Sequence, residues 1–211
     1  MTHVKTGIKE FNEIVPGLPN ASAVLVQGTP GAGKTIFSLS LMNTTEKGKK
    51  IVVLTNNTQE EIGAEMTSFK LGFEAFFIDC YSWLSGAPAA VDSLANLSKI
   101  TFLIEDALEP GSILLFDSLT PLLLYSSDDE IQRFLQQVIA IVKAKSSVIM
   151  FTLDLGTYPS DAENTFRSLC DSVVNLDSEK GLRIVKMRDT KVPAKDFFYE
   201  LGPKGFRLRT K

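Results

Sequence analysis

Short apolar runs alternate with longer amphipathic stretches along most of this chain. Residues 23–26 (Ala-Val-Leu-Val), 50–54, 75–79, 113–116 and 148–153 are brief, continuous and rich in β-branched or aromatic residues, as expected of strands buried on both faces. Between them, residues 36–42, 58–70, 91–108 and 128–145 have the length and spacing of helices. In the last of these, Ile131, Phe134, Leu135, Val138, Ile139 and Val142 recur so that they share one face. Thr58 followed by Glu61 predicts a capping box opening the second helix, and Gly72 is expected to end it. Pro110-Gly111 closes the third. After a short helix at 164–169 the pattern changes: residues 172–176, 182–187, 197–200 and 206–208 predict strands joined by tight turns. The expected architecture is α/β, with a mostly parallel central sheet flanked by helices and a small antiparallel C-terminal extension. One domain spans residues 1–211, with its site at the carboxyl ends of the parallel strands.

Composition changes this picture little. A chain of 211 residues with 44 % hydrophobic content can bury one full core. No apolar run reaches the ~18 residues of a membrane span. Met1 to Lys5 hold no signal-like apolar segment, so a cytoplasmic location is expected. Cys80 and Cys170 read as two buried thiols, and His3 as part of a frayed end with no zinc site. In the pairs Phe76-Phe77 and Phe197-Phe198, one ring each is expected to face the core. Trp83 is expected to pack under a loop, with stacking on a partner or nucleotide as the alternative. Charge matters more: the net charge is −3, but residues 180–211 carry +7 and the rest −10. A basic segment can meet nucleic acid, an acidic face of a neighbouring copy, or only solvent.

The chemistry lies in residues 28–35, Gly-Thr-Pro-Gly-Ala-Gly-Lys-Thr, a complete phosphate-binding loop between a strand and a helix. Gly28, Thr29, Pro30, Gly31, Ala32, Gly33, Lys34, Thr35 and Ile36 are the expected nucleotide-binding residues. Their backbone N–H groups and the helix N-terminus face a triphosphate, and Lys34 reaches its β- and γ-phosphates. Thr35 is a magnesium ligand in such loops. The acid closing the apolar run at 113–116, Asp117, is the second. ATP and Mg²⁺ are therefore the expected cofactors.

Four segments together resemble the KaiC-like branch of the RecA superfamily, in a single-domain member. Thr6-Gly7-Ile8 through Gly17-Leu18-Pro19 resembles the family's first segment and Gly28 to Phe37 its loop and first helix. Leu114 to Leu119 resembles its Walker B strand, and Lys186-Met187-Arg188-Asp189-Thr190-Lys191 its K-x-R-G-T signature. The resemblance implies a RecA-like P-loop NTPase fold and a homo-oligomeric, six-membered ring. In that ring Lys186 and Arg188 act in trans on the γ-phosphate held by the adjacent subunit. Two cations at i and i+2 of a strand share a face, which suits that role; a plain pair of edge cations is the structural alternative.

The departures are equally informative. The family's second strand ends in two glutamates, one of which polarises the attacking water; here Asn56 and Asn57 stand there. An amide hydrogen-bonds water but cannot take its proton. Glu60 and Glu61 follow closely, in positions that suit helix capping. The family also prefers Gly where Ala21 and Asp189 stand. Three functions remain, in order. The first is a nucleotide-responsive ring switch or scaffold with weak or absent hydrolysis. The second is an active signalling or motor-type ATPase, and the third a recombinase-like DNA-binding paralogue. The loops that bind DNA in recombinases carry Asp128, Asp129, Glu130, Asp154, Asp161 and Glu163 here, with Arg167 the nearest cation, so specific DNA binding is not expected.

Overall fold

The computed structural model describes residues 3–202 and 205–209. Met1, Thr2 and four residues of the basic segment, among them Lys204 and Lys211, lie outside the described residues. A nine-stranded sheet forms the centre. Its parallel part runs, in spatial order, β8 (Ser172–Leu176), β3 (Ser22–Gly28), β7 (Val148–Asp154), β6 (Ile113–Asp117), β4 (Lys50–Leu54) and β5 (Phe76–Asp79). Beside β8 the sheet turns antiparallel through β9 (Gly181–Met187), β10 (Phe197–Gly202) and β11 (Gly205–Arg209). This is the mixed sheet expected from the change of pattern after residue 170.

Period-two side-chain alternation divides the core into two layers. Ala23, Leu25, Val53, Leu114, Phe116 and Phe151 face α4 (Leu97–Ala107), α5 (Asp128–Ala144) and α6 (Ser160–Leu169). Val24, Val26, Val52, Leu54, Leu115 and Met150 face α1 (Lys9–Ile14), α2 (Lys34–Met42) and α3 (Gln59–Ser68). The rings of Phe197, Tyr199 and Phe206 join this second layer and fold the C-terminal hairpin over it. Gly28 lets β3 and β8 close up: a Cβ there would stand 2.1 Å from the Leu176 carbonyl oxygen.

Several expectations need correction. The helix at 91–108 begins only at Leu97, because the Asn96 side chain accepts from the Lys99 N–H and starts the helix there. Val91 and Leu94 are buried in the preceding loop instead. The capping box of Thr58 and Glu61 is present. The helix ends before Gly72, with Lys70 at φ +54 and the Leu71 N–H bonded to the Met66 carbonyl, a Schellman-like stop built without glycine. The helix at 164–169 starts at Ser160. Lys9–Ile14, the short strands β1 (His3–Val4) and β2 (Leu18–Pro19) went unread because their patterns are too brief. His3 is not frayed: β1 pairs with β2, and its Nε2 lies 3.2 Å from the Thr190 hydroxyl. Phe197 is buried and Phe198 half-exposed, as alternation requires; in the other pair Phe77, partly buried, packs against the core while Phe76 is exposed. Phe76 is covered by the Lys49 ammonium, 4.2 Å from its ring. Trp83 packs edge-on against Tyr125 and donates to the Cys80 carbonyl.

Candidate functional site

The site grows from β3 into α2. Gly31 at φ +77 and Gly33 at φ +87 curl the intervening loop through backbone that other residues resist. The helix begins at Lys34 with no side chain capping it. Its first N–H groups therefore remain without a side-chain acceptor, as an anion site needs. A cleft of about 390 Å³ opens over the loop, lined by Pro30, Gly31, Gly33, Lys34, Thr35 and Ile36, then by Asn56, Asn57 and Glu65, and by Asp117, Ser118 and Asp154. Three parallel strands supply its walls: β4 delivers the asparagines, β6 Asp117 and β7 Asp154.

The polar groups are already interlocked. The Thr35 hydroxyl donates to Asp117 Oδ2 at 3.0 Å, and the Thr152 hydroxyl donates to its other oxygen. Asp117 is buried, and that burial raises its pKa; the bonds from Thr152 and Thr35 and the charge of Lys34 oppose the shift. A hydroxyl and a carboxylate held this close at the foot of a phosphate loop suit a magnesium ion. The Lys34 ammonium donates to Asp154 Oδ1 at 2.6 Å and to the carbonyls of Thr29 and Gly28. The loop is also pinned from behind, since the Tyr199 hydroxyl donates to the buried Ala32 carbonyl and lies 3.1 Å from that of Asp177. Burial, with Asp177 nearby, pushes the Tyr199 phenol up to about 12. Leu201 stands directly behind Gly33, where a Cβ would meet its Cδ1 at 2.8 Å.

Asn56 and Asn57 line the cleft, whereas Glu60 and Glu61 do not; Glu61 instead accepts from the Thr58 N–H at 2.7 Å in its capping box. One turn farther along α3, Glu65 does reach the cleft. Partial burial, then the charges of Asp117 and Glu61, raise its pKa. Glu65 and Asp154 escaped the reading of the sequence. Glu65 had no motif around it, and Asp154 read only as one acid among several in a loop.

Lys186 and Arg188 lie at the other end of the sheet. In the antiparallel β8–β9 pair Met187 stands opposite Ser172, at the start of β8, while Gly28 pairs with Leu176 at its end. At ~3.3 Å per residue that is on the order of 15 Å from the loop of the same chain. Lys186 makes no ion pair among the described residues. Arg188 is held within its own chain. It donates to Asp171 Oδ1 at 2.8 Å and to the carbonyls of Asn20 and Ala21, and the Asp189 carboxylate lies 3.5 Å from its Nε. Asp171 also binds Lys143 and the Ala23 N–H. Ala21 and Asp189, which stand where the resembling family prefers glycine, both adopt left-handed backbone, at φ +49 and +56.

No sequence among functionally curated proteins matches the chain. Many solved structures do. One is the crystal structure of a KaiC-like protein from the hyperthermophilic archaeon Pyrococcus horikoshii OT3, 22 % identical, with 99 % of each chain covered and a TM-score of 0.77. At that identity the likeness establishes the fold: a RecA-like α/β architecture with a mostly parallel sheet and an antiparallel flank. The KaiC family model of ATPases matches residues 4–210. With that match over nearly its whole length, and a nucleotide-binding loop built as described, the chain belongs to the KaiC ATPase family.

Proposed function

We propose that this protein binds ATP with magnesium at residues 28–36, hydrolyses it slowly or not at all, and works in the cytoplasm as a nucleotide-responsive ring switch or scaffold. One observation carries the reading. The cleft holds a full binding set, Lys34, Thr35 and Asp117, beside two asparagines where a base is needed. Asn56 and Asn57 can position water but cannot accept its proton, and such help is typically worth ~10² to 10⁴ in rate. Thr35 and Asp117 would hold the magnesium, which neutralises charge on the phosphates when bound.

The ring rests on the family, whose members are oligomeric, and on distance. Lys186 and Arg188 cannot serve the loop of their own chain, so a phosphate role for them is a role in trans across a head-to-tail hexamer interface. Lys186 is the readier of the two, since Arg188 must first leave Asp171. No helix among the described residues is long and apolar enough to cross a membrane. Against specific DNA binding stands the fate of the cation nearest those loops, as Arg167, on α6, is consumed by Gln27, Asn164 and Glu163.

A second reading, an active ATPase, is favoured by Glu65, the α3 carboxylate that does line the cleft. Phosphate release and light scattering decide between them. Slow turnover, raised by Asn57→Glu, with an ATP-dependent hexamer weakened by Lys186→Ala, is the expected result. Fast turnover abolished by Glu65→Gln selects the second reading. A monomer at every protein and nucleotide concentration removes the ring.

A further inference from the structure

The Lys34 ammonium has three protons, and its own chain supplies three acceptors. These are Asp154 Oδ1 at 2.6 Å, the Thr29 carbonyl at 2.9 Å and the Gly28 carbonyl at 3.3 Å. The side that should meet phosphate oxygens is thus turned to a carboxylate. The pair is sheltered, with the Lys34 side chain 9 % exposed and that of Asp154 24 %. Shelter makes the contact stronger than a surface ion pair.

Asp154 is held in place for this contact. It is the last residue of β7, and its N–H donates to the Thr120 hydroxyl at 3.1 Å. That hydroxyl lies 3.3 Å from Asp154 Oδ2, so one carboxylate oxygen is held while the other faces Lys34. Thr120 opens the helical turn that follows β6, the strand ending in Asp117. The carboxylate is therefore fixed from the same wall of the cleft that carries a proposed magnesium ligand.

Resting on the assignment of ATP to this loop, we propose that Asp154 is a positioning residue that competes with the nucleotide's terminal phosphates for Lys34 and thereby sets the affinity of the site. An incoming triphosphate must displace the carboxylate from the ammonium, and it then faces a freed negative charge. A ligand whose phosphates do not reach Lys34 disturbs nothing. The competition lowers affinity for di- and triphosphates while leaving a monophosphate unaffected. It also gives the site two states, with Lys34 on Asp154 or on phosphate, each fully bonded.

Titration calorimetry of the full chain tests this with Mg·ATP and AMP. Asp154→Asn keeps the shape and removes the charge, so Mg·ATP should bind roughly tenfold more tightly, the scale of one charge-assisted hydrogen bond. AMP binding should be unchanged. In a Lys34→Ala background the gain should vanish, which a merely structural role for Asp154 would not produce. Thr120→Val, which frees the carboxylate without deleting it, should tighten Mg·ATP by a smaller factor and serves if Asp154→Asn does not fold. Equal or weaker Mg·ATP binding by a folded Asp154→Asn, or by Thr120→Val in its place, overturns the competition. If the wild type itself binds no Mg·ATP, the nucleotide assignment fails, and the competition with it.

Discussion

Ala21 offers a clean test of how this fold bends its backbone. Its φ is +49, in the left-handed region that costs a residue with a Cβ about 1–2 kcal/mol. Ala21→Gly removes that cost but gives the unfolded chain more freedom, worth about 0.4–1 kcal/mol in the opposite sense. The balance is a gain of roughly 0.5–1 kcal/mol, which for a domain of this size raises Tm by ~1–4 °C. The methyl adds little to offset this, since Ala21 is only half-buried and its carbonyl, not its side chain, holds Arg188. Ala21→Val is the counter-experiment, because a β-branched residue resists positive φ still more and should lose at least 1 kcal/mol. Paired urea and thermal melts measure the series. An order other than Gly above Ala above Val would refute the reasoning, and a destabilised Ala21→Gly would show that the turn is not strained.

Other consequences follow from the same geometry. Tyr199→Phe leaves the buried Ala32 carbonyl without its hydroxyl donor, so it should cost about 1–2 kcal/mol in a urea melt and weaken ATP binding through a looser loop. Nucleotide affinity should depend steeply on magnesium, because three carboxylates, those of Asp117, Asp154 and Glu65, line the cleft against the one ammonium of Lys34 before any phosphate arrives. Calorimetry in excess chelator should show ATP binding at least tenfold weaker than with Mg²⁺. Ser127→Ala should cost the ~1 kcal/mol of a lost N-cap at neutral pH. Bonds from Ser127 lower the Glu130 pKa from its ordinary 4.5. A carboxylate with a lowered folded pKa stabilises above its unfolded value and loses this as pH falls through the folded one. The gap between wild type and Ser127→Ala should therefore narrow in acid melts below pH ~4.

Much of this protein is local and so was readable from its residues. Buried parallel strands announce themselves as unbroken apolar runs, because both faces are covered. The loop at residues 28–35 is a contiguous segment whose chemistry needs no distant partner to be recognised. The capping box at Thr58 and Glu61 spans one helical turn. The asparagines at 56 and 57 follow their strand directly, so their place in the cleft was legible as well. Three matters were decided only by packing. Asp154 and Glu65 enter the cleft because β7 lies beside β3 and because α3 aims one more turn at the loop than its cap suggests. Arg188, which sequence spacing pairs with Lys186, is drawn onto Asp171 by the antiparallel return of β9, a contact between residues far from any shared motif. Ala21 and Asp189 look like simple departures from glycine in the sequence, and only the backbone shows that both sit where glycine would be unstrained. A sequence specifies which groups are present and how the nearest ones are spaced. Which charges meet depends on strand order, and strand order belongs to the assembled sheet.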